Sequence, residues 1–186
     1  MNIIFLDIDG VLNCYSTYVR HKYCHMDESC TKLLYKTIKE IPNIKIVISS
    51  SWRCPGNIER FKEKCKVLKS DKLFSKFIPY LHDDYCTKRL CTRKRGNEIK
   101  EWLSRHDEVE KYICLDDDSD YYSYQPLLII NREIGFSRYD KEIVLQYFGI
   151  PVHHSMNIDI QIKHIGYTRR LLTKRLRFLN KYFKHI

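Results

Sequence analysis

No run of apolar residues in this 186-residue chain is long enough to cross a bilayer, so no membrane partner is expected. The eight cysteines (Cys14, Cys24, Cys30, Cys54, Cys65, Cys86, Cys91 and Cys114) include no Cys-x-x-Cys pair. The apolar start, Met1 to Leu6, lacks a basic leader and is ended by Asp7 and Asp9, so it reads as a buried strand rather than a secretory signal. A cytoplasmic protein with reduced thiols is the expectation. Two looser groupings, His82 with Cys86 and Cys91, and His21, Cys24, His25 and Cys30, match no closed four-ligand zinc pattern. No internal repeat or low-complexity segment is visible.

Positive charge is abundant. Lys and Arg number 33 against 23 Asp and Glu, for a net charge of +10. That balance favours an anionic partner, nucleic acid first. The plainer alternatives are a solvated Lys-rich surface and the residue usage of an AT-rich genome. A hydrophobic share of 44% is ordinary for a globular protein, and the length suits one domain with a short extension.

Largely apolar stretches at residues 2–6, 44–48, 111–115 and 127–130 predict strands, the first two of them buried. Helical spacing predicts helices over residues 27–41, after Pro55-Gly56, from about Gly96, and after Asp140. Pro42-Asn43 breaks the first. Residues 73–93 predict a short helix plus loop. Strands alternating with helices imply an α/β fold with a central parallel sheet between helical layers. Right-handed crossovers then put every strand C-terminus on one edge, where such sheets bind ligands. Asp7 and Asp9, Ser49, and Asp116 with Asp117 each follow a predicted strand, so they converge there. Residues 1–150 form the expected domain. Residues 151–186 form a basic extension: a possible strand at 158–162, then a helix at 167–184 carrying Leu172, Leu176, Leu179 and Phe183 on one face and basic residues around the rest. That helix reads equally as one packed on the domain and as a nucleic-acid contact.

Two carboxylates two residues apart, in a turn where Gly10 permits unusual backbone angles, supply a nucleophile and an acid for phosphate-ester cleavage. A third carboxylate from another strand end completes an oxygen-rich Mg²⁺ site. Backbone amides of the turn can hold phosphate oxygens. Alone, each element has a plainer reading: a turn or calcium loop for Asp7 to Gly10, a common loop for Ser49 to Ser51, a solvated acidic turn for Asp116 to Asp120, and packing for Trp52 and Trp102.

Phe5-Leu6-Asp7-Ile8-Asp9-Gly10-Val11-Leu12-Asn13 resembles the first motif of the haloacid dehalogenase (HAD) superfamily. Ile46-Val47-Ile48-Ser49, Arg93-Lys94-Arg95 and Ile113-Cys114-Leu115-Asp116-Asp117 resemble the other three, in order. The resemblance spans about residues 1–150 and implies a Rossmann-like three-layer sandwich. Ser50-Ser51-Trp52-Arg53, Arg95-Gly96-Asn97-Glu98-Ile99 with Trp102-Leu103, and Gly135-Phe136-Ser137 are similar to the HAD domains of Swiss army knife RNA repair proteins. These are related in role to the 3′-phosphatase half of polynucleotide kinase-phosphatase.

By that resemblance, Asp7 is the nucleophile and Asp9 the general acid and base. Ser49, or Ser50 one residue on, binds the phosphoryl oxygens. Lys94 or Arg95 offsets their charge. Asp116 and Asp117 bind Mg²⁺ together with Asp7 and the Asp9 carbonyl, and Arg53 contacts substrate phosphate. An Asp at the Asp9 position implies a phosphatase. The chain between motifs leaves room for only a minimal cap, so an open site would admit a nucleic-acid phosphate end in RNA or DNA repair-like 3′-phosphatase chemistry. The alternatives are a nucleotidase or other small-molecule phosphomonoesterase, and a non-catalytic nucleic-acid-binding module.

Overall fold

The computed structural model describes residues 1–15, 26–52, 75–88, 90 and 94–152. Five strands form one sheet: β1 (Asn2–Leu6), β2 (Ile44–Ile48), β3 (Leu81–Cys86), β4 (Lys111–Asp116) and β5 (Leu127–Ile129). Their order is β3-β2-β1-β4-β5, and every neighbouring pair is parallel. Three described helices, α1 (Glu28–Glu40), α2 (Arg95–Leu103) and α3 (Arg138–Tyr147), complete the α/β, Rossmann-like architecture expected from the sequence.

The strands are apolar on consecutive residues because both faces of the sheet are covered. Ile4, Leu6, Ile46, Ile48, Ile113 and Leu115 pack with Leu34 and Ile38 of α1 and Ile143 and Val144 of α3. Ile3, Phe5, Val47 and Cys114 turn to the opposite face and meet Ile99 and Trp102 of α2. Trp102 is fully buried, with its ring edge-on to Phe5 at 5.2 Å, so the packing role read for it holds.

Local signals set the helix ends. The Asp27 carboxylate accepts from the Ser29 and Cys30 amides at 2.8 and 3.0 Å and starts α1. Asn43, in the left-handed region at φ 51°, turns the chain into β2 after Pro42. Ser137 and Asp140 form a reciprocal capping box at α3.

One expectation fails. Within residues 73–93 the short helix is a 3₁₀ turn at Ile78–Tyr80, but β3 follows it where a loop was predicted. β3 is an edge strand. Only Leu81 in it is buried, and its pairing with β2 is irregular, so it lacks the apolar run that marks the inner strands. The helix expected after Pro55-Gly56 and the basic extension from residue 153 lie outside the described residues. Among the described residues, no helix is long and apolar enough to cross a membrane.

Candidate active site

Parallel pairing puts the ends of β1, β2 and β4 side by side, since Leu6 is in register with both Ile48 and Leu115. The ladder runs on by one residue on each side: the Asp7 amide donates to the Leu115 carbonyl at 2.9 Å, and the Ser49 amide to the Leu6 carbonyl at 3.0 Å. The convergence expected from topology is present. One carboxylate oxygen from each of Asp7, Asp116 and Asp117 lies within 4.8 Å of the other two.

After β1 the chain folds into a tight loop in which the amides of Val11, Leu12 and Asn13 all point to the Ile8 carbonyl. Gly10 sits at φ +73°, and a Cβ there would lie 2.4 Å from Asp117 Cγ. Glycine is therefore required twice, for the backbone angle and for the approach of the acidic loop. Gly10→Ala is expected to displace Asp117, weaken divalent-cation binding at least tenfold and lower the melting temperature by several degrees. Calorimetric titration and thermal melting check both effects.

Ionised together, the three carboxylates would outnumber the two guanidinium groups described beside them, Arg95 and Arg132. Burial and the charge of Asp116 push the Asp7 carboxyl up to about 8, and burial pushes Asp116 up to about 6 against the pull of Tyr121 and Arg95. The Tyr121 hydroxyl donates to Asp116 Oδ2 at 2.6 Å, and the Asp118 amide to Oδ1 at 2.9 Å. Arg132 reaches Asp117 Oδ2 through Nε and Nη2 at 3.0 and 2.7 Å.

Of Lys94 and Arg95, the structure brings one to the carboxylates. Arg95, the first residue of α2, lies 3.6 Å from Asp7 Oδ1 and 3.8 Å from Asp116 Oδ2. Desolvation would weaken its hold on the proton, but Asp7 and Asp116 more than offset that, and it stays charged. Asp120 fixes its position by accepting the Arg95 amide at 3.0 Å. Lys94 precedes the helix, is exposed, and places its ammonium 5.5 Å from the centre of the Tyr122 ring. Between Lys94 and Arg95, the group that reaches Asp7 and Asp116 is thus Arg95, and Lys94 points elsewhere.

Of the two serines, Ser50 contacts the Asp7 carboxylate through its side chain. Its oxygen also accepts the Trp52 amide at 3.2 Å. Ser49 is fully buried beside it at the end of β2. Arg53 lies outside the described residues.

Asp9 stands apart from the acidic cluster. Its Oδ1 accepts from Asn13 Nδ2 and its Oδ2 from the Trp52 indole N–H, each at 2.8 Å. Sequence reasoning assigned Trp52 to packing and gave Asn13 no role. The available signal was position: Trp52 closes the polar run at the end of β2, and Asn13 closes the Asp-Gly turn. Trp52→Phe keeps the buried ring and removes the donor. It is expected to lower turnover about tenfold with KM little changed, as steady-state kinetics would show.

The short motifs beyond the acidic positions also have physical reasons. Gly96 lets the segment after β4 close on α2: a Cβ there would meet Gln125 Oε1 at 2.5 Å, and its own carbonyl accepts from Gln125 Nε2 at 2.8 Å. Gly135 (φ +69°) brings the chain against Val11 and Cys30, and the Phe136 amide donates to the Val11 carbonyl at 2.8 Å. Of the groupings weighed for zinc, His82 faces Glu108 at 3.3 Å and the His106 ring instead of a cysteine. The Cys30 thiol meets the Ile134 carbonyl at 3.4 Å, and His21, Cys24, His25 and Cys91 lie outside the described residues.

The family described as the HAD domain in Swiss Army Knife RNA repair proteins matches residues 3–140, and the chain belongs to it. No curated protein and no solved structure matches the chain.

Proposed function

We propose that this HAD domain is a Mg²⁺-dependent phosphomonoesterase that works through a phosphorylated Asp7 and acts on the phosphate end of a nucleic acid. The observation that carries this reading is the meeting of Asp7, Asp116, Asp117 and Arg95 at one sheet edge, with Asp9 held separately by Trp52 and Asn13.

The donor set fits Mg²⁺. It is all oxygen, carries excess negative charge, and sits against a glycine whose missing side chain leaves room. Asp7, Asp116 and Asp117 would hold the ion, with the Asp9 carbonyl as the further ligand expected from the family likeness. When bound, it neutralises charge on the phosphoryl oxygens and keeps Asp7 ionised.

In the first step an Asp7 carboxylate oxygen attacks phosphorus. The bond from phosphorus to the leaving oxygen breaks, and that oxygen takes a proton from Asp9. In the second step Asp9 accepts a proton from water, the water oxygen attacks phosphorus, and the aspartyl P–O bond breaks to release inorganic phosphate. Both Asp9 oxygens accept hydrogen bonds in this conformation, from Asn13 and Trp52, which hold the carboxyl in place for the transfer. Arg95 offsets charge on the transferring group, and Ser50 orients Asp7. The preference for nucleic acid rests on the net charge of +10, the short connections between motifs and the family's RNA repair context.

The test is phosphate release by the protein and its Asp7→Asn form, with and without Mg²⁺, from 3′- and 5′-phosphorylated RNA and DNA and from mononucleotides. Release from oligonucleotide ends by the unaltered protein alone supports the proposal. Equal release by both forms, or by neither, refutes the catalytic assignment. Preference for mononucleotides replaces the polymer substrate with a nucleotide.

A further inference from the structure

Tyr124 is a large hydrophobic side chain exposed among the described residues, three residues after Tyr121, whose hydroxyl donates to Asp116. It is 55% exposed. Its ring lies almost parallel to that of Tyr122, at an interplanar angle of 7° with centroids 5.4 Å apart. Tyr122 is held firmly. Its hydroxyl donates to Asn97 Oδ1, its amide donates to Gln125 Oε1 at 2.9 Å, and its ring packs where Gly96 has no side chain. Lys94 adds a cation 5.5 Å from the Tyr122 ring centre.

These partners flank the reactive groups in sequence and in space. Gly96 and Lys94 are the neighbours of Arg95, and Tyr121, one residue before Tyr122, donates to Asp116. The segment between β4 and β5 therefore supplies a metal-site partner and, on the solvent side, a pre-ordered pair of aromatic rings. Single exposed aromatics are common and need no explanation. A parallel pair whose inner ring, Tyr122, is fixed by two hydrogen bonds and has a cation over it, in a basic protein, has the composition of a base-stacking platform.

We infer that Tyr124 stacks on a nucleobase within the two nucleotides nearest the scissile phosphate of a single-stranded RNA end, with Tyr122 behind it and Lys94 beside the sugar-phosphate chain. The inference rests on the nucleic-acid reading of the site proposed above. It assigns part of the substrate affinity to an uncharged, sequence-tolerant contact, which salt screens far less than the phosphate contacts.

The test uses two single-stranded RNA oligonucleotides, prepared with phosphate at either end. They are identical except that the two nucleotides nearest the phosphate carry bases in one and are abasic in the other. Two quantities are measured: kcat/KM for phosphate release, and Kd for the matching hydroxyl-ended strands by fluorescence anisotropy. The full chain should favour the base-bearing strand by about tenfold in both. Tyr124→Ala should erase that preference while leaving values for the abasic strand within about twofold. Tyr124→Phe and Tyr124→Trp should keep it. Equal handling of the two strands by the unaltered protein, or a preference that survives Tyr124→Ala, overturns the platform and leaves the phosphatase reading intact. If no phosphate is released but the base preference in Kd persists and depends on Tyr124, the phosphatase reading fails and the platform stands.

Discussion

Asp7→Asn is expected to lower phosphate release by about 10⁴-fold or more and yet to give a protein that melts no lower than the parent at pH 8 without metal. The first effect follows from the proposed mechanism, since an amide oxygen does not form the phosphorylated intermediate. The second follows from the cost of the charge. Asp7 is 4% exposed, and burial together with Asp116 opposes its ionisation, with only part of that opposition relieved by Arg95 and Ser50. Asn has the same shape and no charge, and Arg95 keeps Asp116 as its partner. A carboxylate held against the stability of the fold is the signature of a site built for a cation or a reaction. Thermal melting and a phosphate-release assay on the two proteins decide it. Retained turnover removes Asp7 from the nucleophile role. A markedly lower melting temperature means that the attraction of Arg95 for Asp7 outweighs the cost of burying the charge.

Much of this site was legible in the sequence because the inner strands are buried on both faces. Consecutive apolar residues at 3–6, 46–48 and 112–115 leave one reading, and a parallel sheet then dictates where Asp7, Ser49 and Asp116 meet. Position along the chain was informative here because topology converts strand ends into neighbours. β3 was not legible for the opposite reason. An edge strand needs few apolar residues: Asp84 meets Arg105 and His106, His82 meets Glu108, and Asp83 is exposed.

The choice between Lys94 and Arg95 turned on a single residue of helix register. Arg95 begins α2 with its amide on Asp120 and its guanidinium on the carboxylates, whereas Lys94 precedes the helix and turns outward. Nothing in the string Arg93-Lys94-Arg95 distinguishes those positions, because the distinguishing contact comes from Asp120, 25 residues on. Trp52 shows the same limit. An aromatic residue after a strand is usually packing, and this one is largely buried, but its indole N–H reaches a carboxylate 43 residues earlier. Tertiary hydrogen bonds to the carboxylates leave no period in the sequence, so the pattern shows the carboxylates and not the groups that hold them.

Raising the pH from about 4 to about 8 is expected to destabilise the metal-free protein through the Asp7–Asp116 pair, and Mg²⁺ is expected to restore more stability the higher the pH. The unfolded chain releases these two protons near the ordinary value of 3.8, whereas the folded protein keeps them until about 6 for Asp116 and about 8 for Asp7. Between those limits the folded state binds more protons, so stability falls as pH rises. The contribution is fully present below about 4 and gone above about 8. The two groups share one field and titrate as a pair, so the loss spreads over the whole window. Asp84 and Glu101 act in the other direction. Partial desolvation raises both, but hydrogen bonds from Arg105 outweigh it and hold them low. Their stabilisation is present above the ordinary carboxylate range and fades only in more acid solution, outside the window of the buried pair. Mg²⁺ binds the ionised carboxylates, so its affinity should climb through the same window and its binding should release protons near pH 6 to 7. Melting with EDTA or Mg²⁺ at pH 5 and pH 8 measures the first effect. Titration calorimetry in buffers of different ionisation enthalpy measures the second. Asp116→Asn should flatten the metal-free pH slope and remove most of the Mg²⁺ gain. A slope that is the same with and without the Asp116 carboxylate, or a Mg²⁺ gain independent of pH, sinks the assignment of this pair as the cation site.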